Sequence, residues 1–221
     1  MPAAPCSMST ARHSANRSVR EKEEHLMTAA ASVSTVPGAP APEGWVAGTW
    51  TIDSAHTVVS FSVRHLMSRV RGTFSEVSGQ VVASADLPGS TAAAVIAVPS
   101  VSTGNQMRDN HLRSADFFDA ERYPEMSFTS TGLRPADGSW VLSGELTITD
   151  VTPRWTLRSS FSAPDPTGLQ GEPRIGFSAR TTISRRDFGI AFGLAADGTK
   201  IVIADKVDIV LDVEAFLDAQ V

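Results

Sequence analysis

From Trp50 onward the chain repeats one pattern, apolar and polar residues alternating at a period of two. Trp140, Leu142, Gly144, Leu146 and Ile148 share one face, while Ser143, Glu145, Thr147 and Thr149 share the other. Val59, Phe61 and Val63 alternate in the same way with Val58, Ser60 and Ser62. The rule returns in Trp155, Leu157 and Phe161, then in Ile175, Phe177, Ala179 and Ile183. It closes with Val207, Ile209, Leu211 and Val213 against Asp208, Val210, Asp212 and Glu214. A helix cannot hold such a pattern on one side, because its faces recur every 3.6 residues; a strand turns successive side chains to opposite faces. The alternation predicts antiparallel strands with one face buried and one wet.

Turn chemistry separates these runs: AspLeuProGlySer from Asp86, ProAlaAspGlySer from Pro135, AlaProAspProThrGly from Ala163 and AlaAspGlyThr from Ala196. Counting the runs gives about eight strands, at spacings typical of a sandwich or barrel. A closed barrel hides both the apolar face and the sheet edges. The predicted fold is therefore all-β, an eight-stranded antiparallel barrel. Such a barrel is either filled by its own side chains or holds one small ligand.

One stretch breaks the pattern. Ser102 to Pro124 is charge-rich and carries the pair Phe117-Phe118. Thr103 or Asn105 is placed to cap a short helix running to His111 or Arg113, with a second turn from Ser114 or Asp116. Tyr123-Pro124 ends it before a strand over Met126 to Ser130. The expectation is a helical crossover, with short polar faces and an aromatic plug, that supports one end of the barrel.

Residues 1–44 are rich in Ala, Ser, Thr, Pro and Gly and lack an apolar pattern, which predicts a disordered tail ahead of a barrel domain over 45–221. The tail is neutral by count, so the net charge of −5 sits on the folded part. That acidic excess argues against a nucleic-acid binder, which needs a basic footprint. The single cysteine, Cys6, allows no internal disulfide. No run is long enough for a membrane-spanning helix, and charges interrupt the N-terminal stretch where a secretory leader would be apolar. These features predict a cytoplasmic protein without stable membrane insertion.

Among chemical signatures there is no GxSxG, HExxH, GxGxxG, phosphate-binding loop or CxxC pair. Four constellations remain. His56, His65 and His111 are three imidazoles able to make a zinc site with one open position; against this, each is a hydrogen-bonded histidine at the end of an element. Arg108 and Asp109 form an acid–base pair or, on the reading favoured here, cap and brace a helix. Arg185-Arg186-Asp187-Phe188-Gly189 either meets an anionic head group or locks a barrel end by an Arg–Asp pair. The fourth is the apolar face, where small residues such as Gly144, Ala179 and Ala92 to Ala97 sit among large ones. Mixed sizes suit an open lumen, while a packed core needs only the large residues; both readings are open at this point.

Seven motifs then appear in order: TrpThrIleAspSerAlaHis (50–56), PheSerValArgHisLeuMet (61–67), ValArgGlyThrPhe (70–74), ThrGlyAsnGlnMetArgAspAsnHisLeuArgSerAlaAspPhePheAsp (103–119), TyrProGluMetSerPhe (123–128), GlyGluLeuThrIle (144–148) and ArgAspPheGly (186–189). The series resembles the YceI-like family of polyisoprenoid-binding, lipocalin-like barrels, over about Trp50 to Phe216. Three positions depart from the family pattern. Asp150 stands where Gly is frequent, Phe192 where Trp is common, and Ala204 where Gly often precedes the last strand.

The resemblance implies a long lumen that takes one isoprenoid or related lipid-like chain. The expected function is non-enzymatic binding, carriage or sensing of such a molecule, with a quinone tail or fatty acyl group as ligands of the same kind. No further cofactor is implied. Phe61, Val63, Phe128, Leu142, Leu146, Trp155, Phe177 and Leu211 are expected to line the lumen. His65, Arg108, Asp109 and His111 are expected to fix its polar end. The alternatives are a metal-assisted enzyme built on His56, His65 and His111, or a filled barrel acting through surface partners, for example in a stress response. Homodimerisation through a strand or the barrel wall is compatible with the pattern.

Overall fold

The computed structural model describes residues 45–137, 139–162, 165–168, 171–193 and 203–218. The expected tail over 1–44 and the turn at Ala196 lie outside the described residues. Among the described residues, eleven strands and one helix follow in chain order: β1 (Gly48–Ile52), β2 (Val58–His65), β3 (Ser68–Phe74), β4 (Val77–Ala83), β5 (Thr91–Ala97), β6 (Val101–Ser102), α1 (Gln106–Arg113), β7 (Glu125–Ala136), β8 (Ser139–Thr147), β9 (Arg154–Phe161), β10 (Arg174–Ser184) and β11 (Ile203–Leu217).

These eleven segments form eight barrel strands. β1 and β2 both pair antiparallel with β11, Trp50 opposite Leu217 and Val59 opposite Leu211, so they run end to end. β3 and β4 are likewise one kinked strand, β3 on β2 and β4 on β1. β5 on β4 and β6 on β3 make a third, broken by the 3₁₀ turn Val98–Ser100. From β7 the chain is a meander, β7-β8-β9-β10-β11, and β11 closes the cylinder onto β1. Closure leaves β1 paired on both sides, which removes the sheet edge there.

Two local features differ from the sequence expectation. The strand expected over Met126 to Ser130 continues to Ala136, through an irregularity between Ser130 and Gly132. The Ser130 hydroxyl there accepts the Ala92 N–H at 2.7 Å, which satisfies a donor the irregular ladder leaves over. The turn signal at Pro135 marks the far end of this strand, where Asp137 takes the left-handed φ of 39°. At Asp86 the expected turn is a 3₁₀ turn, Leu87–Gly89, whose Leu87 and Pro88 are buried.

The buried apolar residues fall into two groups. One gathers Val59, Phe74, Ile96, Met126, Leu146 and Ile183 beneath α1, with Leu112, Phe117 and Phe118 packed on it. The other joins Trp50, Ala83, Ile175 and Ala215, with Phe177 and Leu217 against them. The segment after α1 is therefore an end support, as its aromatic pair predicts; the Phe118 ring meets Phe74 edge-on at 5.7 Å.

Candidate functional site

Alternation and register place the expected lining residues on the inner wall. Phe61 lies opposite Ile209 and Gly72, Val63 opposite Val207, and Leu211 opposite Val59 and Ala179. Leu142 faces Leu157, Phe128 faces Leu146, and Trp155 faces Gly144. Phe61, Phe128, Leu146, Trp155 and Leu211 belong to the group beneath α1, and Phe177 to the other.

Between the large side chains the same face carries small ones. Gly79 lies between Val77 and Val81, Gly144 precedes Leu146 on the same face, and Ala179 lies between Phe177 and Ile183. Ala94 pairs with both Gly79 and Phe128, and Ser159 pairs with Ala179. Two rings use this relief. A Cβ at Gly72 would fall 2.4 Å from Phe61 Cζ, and one at Gly144 would fall 2.4 Å from Phe128 Cζ. The tips of both rings therefore occupy the space that a side chain at each glycine would need.

The α1 end is built by hydrogen bonds. Asn105 Oδ1 accepts the Arg108 N–H and caps α1. The Asp109 carboxylate, 7% exposed, accepts both the N–H and the hydroxyl of Thr103. Arg108 donates Nε to the Thr103 hydroxyl at 2.7 Å and Nη2 to its carbonyl at 3.0 Å. Arg113 reaches back to the Pro99 and Val101 carbonyls. Arg108 and Asp109 thus converge on Thr103, and brace the helix against β6. His111 is bonded to Asp116 at 2.8 Å, and its ring stands edge-on to Phe117 at 5.1 Å and Phe192 at 4.8 Å. His65 pairs with Ser68 across the β2–β3 hairpin and with Ile203 on β11.

His56 has a different setting, on the corner between β1 and β2. Its Nδ1 lies 2.9 Å from Asp53, which also accepts a 2.7 Å bond from Arg174. The bonds from His56 and then Arg174 hold the Asp53 carboxyl down at about 2. His56, His65 and His111 are not brought together, and among the described residues no group of three or more His, Cys, Asp or Glu is arranged to hold a metal ion.

The Arg185–Gly189 motif is tied into this barrel end mainly through Arg185, with an Arg–Asp pair beside it whose acid is Asp205. Arg185 is buried and donates to the carbonyls of Ile190, Phe192, Ile203 and Ala204. Burial lowers its pKa from the ordinary arginine value. Asp187 is exposed, and it is Asp205 that lies 4.0 Å from Arg186 and accepts its N–H. Carbonyl acceptors exist at every residue, so no side-chain pattern announces this arrangement. Phe192, one of the three departures, completes the aromatic group with His111 and Phe117.

Two surface hollows lie on the outside of the wall. A groove of about 510 Å³ runs along Ser60, Ser62, Arg71, Thr73 and Asp208, and one of about 400 Å³ lies over His56, Ser162, Arg174 and Glu214. Exposed charges at Glu145, Arg154, Arg158, Arg180 and Asp212 cover the outer face elsewhere. Among the described residues no helix is long and apolar enough to cross a membrane.

A closed eight-stranded antiparallel barrel with an apolar inner face and one helical end support defines a lipocalin-like barrel. The chain belongs to the YceI-like domain family, whose model matches residues 50–215. It is 33% identical to Protein YceI of Escherichia coli O17:K52:H18, over 76% of this chain and 87% of that one. It is similar in structure to BcnA of Burkholderia cenocepacia, with a TM-score of 0.63 and 25% identity over 74% of this chain and 98% of that one. A polyisoprenoid binding domain from Saccharophagus degradans, implicated in plant cell wall breakdown, shares the fold at a TM-score of 0.58 and 18% identity, over 76% of this chain and 98% of that one.

Proposed function

We propose that the barrel interior binds one long apolar molecule, an isoprenoid or a similar lipid-like chain, and that the protein carries or senses it without chemical conversion. The observation that carries this reading is the inner wall: small residues at Gly79, Ala94, Gly144, Ser159 and Ala179 between two apolar groups, with the ring tips of Phe61 and Phe128 set against Gly72 and Gly144. A chain threaded there gains about 0.8 kcal/mol for each methylene taken from water. A quinone tail or fatty acyl group has the same chemistry. Arg108 and Asp109 are held on Thr103 and His111 on Asp116, so in this reading His65 is the group that meets a polar end. The Saccharophagus degradans domain, described as polyisoprenoid binding, supports the choice of ligand class.

The test is organic extraction of the purified protein followed by mass spectrometry, with bound metal measured in parallel. One apolar molecule per chain, absent from a folded Leu146→Asp variant, is the expected result. Stoichiometric zinc without lipid would replace this reading with a metal-assisted enzyme. Neither zinc nor lipid would leave a filled barrel that acts through surface partners.

A further inference from the structure

The β2–β3 hairpin ends in a way that the barrel itself does not require. His65 pairs with Ser68, so Leu66 and Met67 form a two-residue turn. Leu66 has a φ of 49°, in the left-handed region where glycine, asparagine and aspartate are favoured at hairpin tips. A leucine is unfavourable there, and neither tip residue is taken into the core: Leu66 is 47% exposed and Met67 97% exposed. Two large apolar side chains thus protrude together from the tip of a hairpin.

Their base is basic. From Val58 to Phe74 the chain holds Arg64, Arg69 and Arg71 and no acidic residue, within a protein of net charge −5. All three arginines are exposed. Arg64 donates Nε to the Leu66 carbonyl at 3.2 Å, which draws its guanidinium toward the tip. Arg69 reaches Asp208 at 2.7 Å and Ser62 at 3.2 Å, so one acid on β11 answers one of the three cations. Phe192 belongs to the same end: it is exposed, and the adjoining Gly193 carbonyl accepts the N–H of Ile203, the β11 partner of His65.

We propose that this end of the barrel docks reversibly on an anionic lipid surface, with Leu66 and Met67 entering the acyl boundary and Arg64, Arg69 and Arg71 meeting headgroup phosphates. Apolar side chains on a protruding tip above a cationic collar suit an interface that is soft and negatively charged. A protein partner would call for a broader and flatter apolar patch than two tip residues supply. Two inserted side chains with a few cations give a weak attachment that salt reverses. The docking edge uses surface residues alone and stands whether or not the lumen takes a ligand.

The test is flotation of the full chain with vesicles of phosphatidylcholine alone and of phosphatidylcholine mixed equally with phosphatidylglycerol. Binding is expected to the mixed vesicles at low ionic strength and to fade with added salt. The double variant Leu66→Asn, Met67→Ser should lose about tenfold or more of that binding. It should melt no lower than the parent, because asparagine suits the positive φ. Arg71→Glu should weaken binding to the mixed vesicles and leave the phosphatidylcholine control unchanged. Equal binding by parent and double variant would overturn the tip assignment, and equal binding to both vesicle types would overturn the charge assignment. No flotation of the parent would overturn the proposal as a whole. Apolar material extracted from the double variant, made and purified without vesicles, reads the lumen separately.

Discussion

Phe61 and Gly72 sit directly opposite one another on β2 and β3, and the tip of the Phe61 ring fills the place a Gly72 side chain would need. A Cβ there would fall 2.4 Å from Phe61 Cζ and 2.8 Å from Thr103 Cγ2. Phe74 also packs on the ring, at 5.7 Å between centroids, so its freedom to shift is limited. Gly72→Ala should therefore destabilise the fold by about 1–3 kcal/mol, the usual cost of overpacking. Because the obstructing atoms belong to side chains, Phe61→Leu in the same chain should recover part of that loss. Urea unfolding of the single and double variants measures both, and full additivity would show that the ring and the glycine are not coupled.

Thr103 connects this contact to α1. Its hydroxyl and N–H are held by the buried Asp109 carboxylate, and its hydroxyl and carbonyl by Arg108. Asp109→Ala leaves the Thr103 N–H without its acceptor, and should cost about 1–3 kcal/mol. The loss should be local. Amide exchange should accelerate in Gln106–Arg113 and spare β9 and β10, which a mass-spectrometric exchange experiment resolves.

The inner wall was legible in the sequence because alternation is a local code: each strand states its own faces. Phe61, Phe128, Leu146, Trp155 and Leu211 stand where that code puts them. Continuity between strands was not legible. Asp53–Thr57 reads as a loop, yet β1 and β2 are one barrel strand because both pair with β11, far along the chain. The polar residues were harder still. Nothing local says that Arg108 and Asp109 turn toward Thr103, or that Arg185 would find four carbonyls. The shared fate of His111, Phe117 and Phe192 depends on two segments meeting at one barrel end.

Asp53 gives the fold a pH dependence of defined sign. Its carboxyl is held at about 2 by its bonds to His56 and Arg174, below the usual value of about 3.9 in an unfolded chain. A depressed carboxylate contributes stability that is fully present above the unfolded value and is lost as pH falls through the folded one. Thermal stability should therefore decline between about pH 4 and pH 2. In Arg174→Gln the Asp53 carboxyl should titrate closer to its ordinary value, so this part of the acid decline should shrink while stability at neutral pH falls. A melting-temperature profile identical to the parent at every pH would refute the role given to Asp53.

Arg185 ties together two stretches of one barrel end. Its guanidinium joins Ile190 and Phe192, just after the 3₁₀ turn, to Ile203 and Ala204 at the start of β11. A lysine keeps the charge but replaces a planar fork by one ammonium, which cannot reach acceptors spread over two segments. Arg185→Lys should leave buried carbonyls without donors and a buried cation poorly matched, at a cost of at least about 3 kcal/mol. Phe192 should loosen with it, since the Arg185 bond to its carbonyl fixes the backbone that aims the ring at His111 and Phe117. Ring-proton chemical shifts of His111 report that contact directly. A variant that keeps both its stability and those shifts would show that the aromatic group, not the arginine, holds this end of the barrel together.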